Sequence, residues 1–164
     1  MSREILRAIL KNDIVKLDLI LNEGGDIFEV TEIEKWNYLH RSLLSIAMSP
    51  STEMIQNLIR RGIDVNAVDI YGNAPIHYAV RLKRAELVGA LIEANADVNV
   101  VNFEGVSPLR QSLLSKPYSY NSMKLLIQAG ADIYQKPENG LTIREFAKTT
   151  ANGDQELLAI FDVQ

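Results

Sequence analysis

Apolar residues recur along this chain in short bursts at helical spacing, and turn-forming residues interrupt them at regular intervals. In the clearest stretch, Ile76, Ala79 and Val80 share one helical face between Ala74 and Leu82. Leu87, Val88, Leu91 and Ile92 do the same between Glu86 and Glu93, so two short helices are predicted there. Pro75 suits the first turn of its helix, where a missing N–H costs nothing. Gly62 and Gly130, like Asn95, follow apolar helix ends and predict left-handed caps. Asp97 to Gly105 is β-branched and then turns, which predicts a hairpin linking one helix pair to the next. Helices this short are marginal alone in water, so stability must come from stacking pair upon pair.

The bursts keep a period. Four segments end alike, at Gly24-Gly25-Asp26-Ile27, Gly62-Ile63-Asp64-Val65, Asn95-Ala96-Asp97-Val98 and Gly130-Ala131-Asp132-Ile133, with aspartates 38, 33 and 35 residues apart. Small residues Ala8, Ala47, Ala79, Ser112 and Ala147 are spaced by 39, 32, 33 and 35. Gly72, Gly105 and Gly140 are spaced by 33 and 35. Three independent markers with nearly one period define a repeat architecture.

The unit Asp69-Ile70-Tyr71-Gly72-Asn73-Ala74-Pro75-Ile76-His77-Tyr78-Ala79 through Ala96-Asp97-Val98-Asn99 resembles the ankyrin repeat. It shows that family's D-x-x-G turn, T-P-L-H-x-A helix start and G-A-D-V-N ending. Asn102 to Leu109 and Asn139 to Thr142, with Ala147, continue the likeness. The resemblance implies an all-α ankyrin-repeat solenoid of about five stacked helix-turn-helix units with short β-hairpin loops. A single domain over 1–164 is expected, with units near 3–28 (N-terminal cap), 29–66, 67–99, 100–134 and 135–164 (C-terminal cap). Asp26 to Ala47 spans 21 residues against 15 in each later unit, which places an insertion at 28–38. In this register His40 falls where the turn glycine belongs. The fourth unit gains two residues around Lys116 to Asn121.

Composition narrows the chemistry. The chain has 164 residues and no cysteine, which removes disulfides, thiol catalysis and thiolate metal sites. His40 and His77 are its two histidines, too few for a zinc site without cysteine. The resemblance implies a structural, hydrogen-bonding role for His77, whose counterparts in this register, Ser45, Arg110 and Glu145, form no histidine ladder. No phosphate loop, G-x-S-x-G, H-E-x-x-H or calcium-loop pattern occurs, so no enzyme activity, metal or cofactor is expected. Ser49-Pro50 and Ser107-Pro108 are candidate phosphorylation sites, the second more simply a helix start. Seventeen basic against twenty-one acidic residues give a net charge of -4, which argues against nucleic acid or an anionic membrane. Arg60, Arg61, Arg81, Lys83 and Arg84 form only a small basic group, without interleaved aromatics. The N-terminal segment carries Arg3, Glu4 and Arg7 instead of an unbroken apolar run, so a cytoplasmic location is expected.

What remains is a surface. The resemblance implies protein binding through hairpin tips and the concave helical face. The positions so mapped are Val68, Ile70, Tyr71 and Asn73 with Arg81 and Leu82, then Val101, Phe103, Glu104 and Val106 with Leu114 and Ser115. In the last unit they are Lys136, Glu138 and Leu141. Large apolar residues on adjacent exposed tips mark a partner site, and aromatic anchors dominate such sites. Within the insertion, Trp36 and Tyr38 stand beside Glu29, Glu32 and Glu34, which points to a basic partner. The expected molecule is a protein-binding module, monomeric when free. Stand-alone chains resembling this one include bacterial immunity proteins, so inhibition of a cognate toxin or effector is a narrower alternative. A further alternative is an enzyme or ligand-binding protein using the insertion and His40.

Overall fold

The computed structural model describes residues 1–44, 48, 50–138 and 140–162. These form five helix pairs in chain order: α1 (Arg3–Leu10) with α2 (Ile14–Asn22), α3 (Tyr38–Leu43) with α4 (Thr52–Arg60), α5 (Pro75–Arg81) with α6 (Ala85–Glu93), α7 (Pro108–Ser112) with α8 (Tyr120–Gln128), and α9 (Ile143–Ala151) with α10 (Gln155–Phe161). The first helices of the pairs form an inner layer and the second an outer one, since α3 packs on α1 and α5 while α6 packs on α4 and α8. Each helix is short, and local chemistry sets its ends. Side-chain oxygens of Ser2, Asp13, Asn37, Ser51, Ser107, Thr142 and Asp154 accept the backbone N–H three residues on, each satisfying a donor that the helix cannot. Pro75 opens α5. Gly62, Asn95 and Gly130 take the predicted left-handed conformation, with φ of +87°, +63° and +92°.

The core lies between the layers and runs the length of the stack. Ile5, Leu39, Ile76 and Leu109 occupy one place on successive inner helices, and Leu58, Leu91, Leu126 and Phe161 one place on successive outer helices; all are fully buried. Each such side chain contributes about 1.5–3 kcal/mol. Small residues keep the layers close: Ala8, Ser42, Ala79, Ser112 and Ala147 are all buried. Ser42 thus takes the place expected of Ala47, which lies outside the described residues together with Ser45, Ser49 and Asn139.

That register change corrects two expectations. Most of the extra residues do not sit in the 28–38 segment: eight residues, 44–51, separate α3 from α4, against three between α5 and α6. Only one extra residue precedes α3, which begins 12 residues after Asp26 where α5 begins 11 after Asp64. His40 is not a turn residue: it lies on α3, fully buried, at the place His77 holds on α5. The turn position is held by Lys35, whose φ of +61° matches the +79° of Gly72. Further, no strand occurs among the described residues. The connecting fingers are held by isolated bonds instead: the Ile70 N–H donates to the Glu34 carbonyl (3.1 Å) and the Phe103 N–H to the Tyr71 carbonyl (2.9 Å).

Two ladders tie unit to unit. His40 Nε2 meets the Asn73 carbonyl at 3.1 Å, His77 Nε2 meets the Val106 carbonyl at 3.0 Å, and Arg110 Nη1 meets the Leu141 carbonyl at 3.2 Å. The three acceptors are equivalent, each preceding the N-cap of the next inner helix, so a short ladder of histidine, histidine and arginine exists where none was expected. A carbonyl only accepts, so Nε2 carries the proton, while Nδ1 of His77 accepts from the Ala74 N–H at 3.1 Å. Outside this line, Asn66 bonds the Asn95 carbonyl and the Asp97 N–H, and Asn99 repeats the pair on Gly130 and Asp132.

Candidate protein-interaction face

The fingers project beyond the inner helices, and their tips carry the apolar residues expected there. Val68, Ile70, Tyr71 and Val101 are exposed, and Phe103 is 80% exposed. Their backbone is fixed from below. Asp69 Oδ1 accepts the N–H of Tyr71 and of Asn73, each at 2.9 Å, and Asn102 Oδ1 accepts those of Glu104 and Val106 at 3.0 Å. Gly72 permits the close approach of the two fingers: a Cβ there would meet the Phe103 ring and the Asn102 backbone at 3.0–3.1 Å. Two aromatic tips are therefore held side by side with most of each ring open.

Beneath them is an open cleft of about 340 Å³, walled by Leu44, Tyr71, Tyr78, Arg81, Phe103 and Glu104, with Asn73 and Asn102 at its floor. Arg81 lies over the Tyr78 ring at 5.1 Å, a favourable placement of a cation on a π face, and hydrogen-bonds Gln111 and Asn73. Asp69 Oδ2 accepts both the Tyr78 hydroxyl (2.5 Å) and the Trp36 indole N–H (3.1 Å). Burial alone would raise the Asp69 carboxyl, but bonds from Tyr78, Asn73, Tyr71 and Trp36 outweigh it and hold it below the usual range. Burial and the Asp69 carboxylate push Tyr78 up to about 12.

Several expected contact residues lie elsewhere. Tyr38 is fully buried at the first turn of α3, with its hydroxyl donating to Glu29 at 2.7 Å, so it cannot meet a partner. Asn73 is also buried and spends its side chain on Asn102 and Arg81. Leu82 is half-buried and packs against the core. Trp36 is half-buried, bonded to Asp69 and covered by Arg41 at 5.4 Å. The acidic cluster is weaker than expected, because Glu29 also accepts the Ser2 N–H at 2.7 Å; the pointer to a basic partner loses one of its three carboxylates. His40 has no solvent exposure, so the enzyme alternative loses the imidazole it needed. Two members of the basic group are already matched by carboxylates, Arg61 by Asp18 and Arg84 by Glu86. Ser107 is buried and serves as an N-cap.

Leu44 and Arg41 were missed as partly exposed residues, and Tyr78 as the buried ring under Arg81. With Ala47 taken as the small marker, α3 stood out of register, and its equivalence to α5 would have placed Arg41 beside Tyr78. Among the described residues no cluster of three or more histidines and carboxylates could hold a metal ion, and no helix is long and apolar enough to cross a membrane.

A comparison with curated proteins finds no match. The pattern of the family described as ankyrin repeats (3 copies) matches residues 5–102 and, overlapping them, 43–137. The chain belongs to the ankyrin repeat family, whose repeats are typically non-catalytic and generally serve as protein–protein interaction modules.

Proposed function

We propose that this chain binds a partner protein through its finger tips and inner-helix face, with Tyr71 and Phe103 as anchors and Arg81 in the cleft below. One observation carries the reading: two large aromatic side chains stand open on adjacent tips joined by a backbone hydrogen bond. Exposed apolar patches of this kind mark interaction sites, and rigid aromatics lose little entropy on binding. Val68, Ile70, Val101 and Glu104 border the strip.

The test is capture from the source cell with wild type and with Tyr71→Ala/Phe103→Ala. The double variant is expected to lose partners that wild type retains, while its circular dichroism and thermal midpoint stay unchanged. Retained capture would sink the strip as the interface. Neutralisation of a toxin or effector by covering its active surface is a narrower form of this function. Co-expression with a toxin encoded beside the gene tests it, and unrelieved toxicity would remove it.

A further inference from the structure

Two rows of side chains run along the inner helices, exposed or half-buried except for Tyr78, which is buried. The residues just before the buried small positions are Arg7, Arg41, Tyr78, Gln111 and Phe146; those two places after are Leu10, Leu44, Arg81, Leu114 and Thr149. In a chain with more acidic than basic residues, these rows hold three arginines and no carboxylate. The Arg41 guanidinium makes no hydrogen bond or ion pair among the described residues, and that of Arg81 bonds only amide side chains. Each instead rests on a ring, Arg41 on Trp36 and Arg81 on Tyr78.

Those two rings are fixed by one atom. The Trp36 indole and the Tyr78 hydroxyl both donate to Asp69 Oδ2, so a single buried carboxylate positions the platforms of both guanidiniums. The platforms belong to neighbouring clefts. Arg41 and Trp36 wall one of about 320 Å³ together with Arg3, Leu6 and Glu34. Arg81 and Tyr78 wall the other, beneath Tyr71 and Phe103. Glu34 and Glu104 border the clefts from the fingers, outside both rows, and neither is ion-paired with an arginine among the described residues.

We infer that the inner-helix face docks an acidic, extended segment of the partner, its carboxylates on Arg41 and Arg81 and an apolar side chain between Tyr71 and Phe103. Guanidiniums pre-set on aromatic platforms lose little freedom on meeting carboxylates, which they can bind through two parallel bonds. This rests on the proposed binding function and names the chemistry of its partner, opposite in sign to the one that the acidic finger residues alone point to.

The test selects short random peptides displayed on phage against the full chain, then measures binding of the selected peptides to Arg41→Gln/Arg81→Gln and to Tyr71→Ala/Phe103→Ala. Selected peptides should be rich in Asp and Glu around an aromatic or aliphatic residue. Binding should weaken about tenfold or more in the arginine variant, and also when salt rises from about 50 mM to about 500 mM. Both arginines reach solvent, and circular dichroism checks that the variants fold. Peptides without an acidic excess, or with unchanged affinity for the arginine variant, overturn the acidic segment; if they still fail on the aromatic variant, the binding strip survives. Peptides indifferent to both variants overturn the interface itself. A selection that enriches nothing also overturns the acidic segment, and the capture experiment then decides the strip separately.

Discussion

Asp69 accepts four hydrogen bonds while almost wholly buried, two from its own finger's backbone and one each from Trp36 and Tyr78. A buried acceptor so placed holds its donors in register, and losing it strands them away from water at about 1–3 kcal/mol. Asp69→Asn keeps the shape but turns an amide toward at least one of those donors. We expect it to lower stability by about 1–3 kcal/mol in urea unfolding. The emission of Trp36, the one tryptophan, should move to longer wavelength as its ring frees. Unchanged emission and stability would show that the carboxylate is dispensable. At this scale much was legible: Gly62, Asn95 and Gly130 announced their left-handed caps, and Pro75 its helix start. Tyr38 was not, because an aromatic beside glutamates reads alike whether it faces solvent or, at a helix's first turn, the core. Only the packing of α1 against α3 separates the two.

Helices of this length hold only through their neighbours, and the joints between inner helices carry buried imidazoles. Burial pushes His40 and His77 below the ordinary histidine value, the Asn73 and Val106 carbonyls opposing it; Arg81 lowers His77 further, and Asp69 acts the other way on both. The unfolded chain therefore takes up protons first as pH falls, and stability rises with pH across the window below about 6.5. Each histidine can contribute up to about 1.4 kcal/mol per pH unit there. Urea unfolding between about pH 7.5 and pH 5 should show this slope, and His40→Gln/His77→Gln should flatten it. An equal slope in both would assign acid sensitivity to carboxylates instead. The helix pairs were readable from the period, yet the register of α3 was not. With an alanine at position 47 and eight residues between α3 and α4, a count from the aspartates lands on the wrong small residue. The error hid both His40 as a ladder member and Arg41 as a surface cation.

The whole molecule is a row of thin layers, each covered on both sides except at the ends. The last pair departs from the others accordingly: Arg144 stands where Ile76 stands in α5, donates to the Phe161 carbonyl and pairs with Asp162. We expect this pair to act as a cap, since polar closure of this kind keeps the apolar layer before it from water. Removing residues 143–162 should expose the side of α8 that Phe161 and Ile160 cover, lowering the urea midpoint and causing self-association detectable by light scattering. A truncated chain that stays monomeric with an unchanged midpoint would mean that α9 and α10 are not a cap. The solenoid was legible because three markers shared one period; the proposed face was legible only in part, since Arg81 followed from the repeat while Arg41 depends on the register of α3.

The ladder of His40, His77 and Arg110 also gives the stack a direction. In every link the donor belongs to the earlier unit and the acceptor to the later one. During vectorial synthesis, where the N-terminal part emerges first, the second, third and fourth layers each hold an N–H that stays without its protein acceptor until the next layer leaves the ribosome. Completion thus passes down the chain like a closing zip, and none of these three layers is finished by its own residues alone.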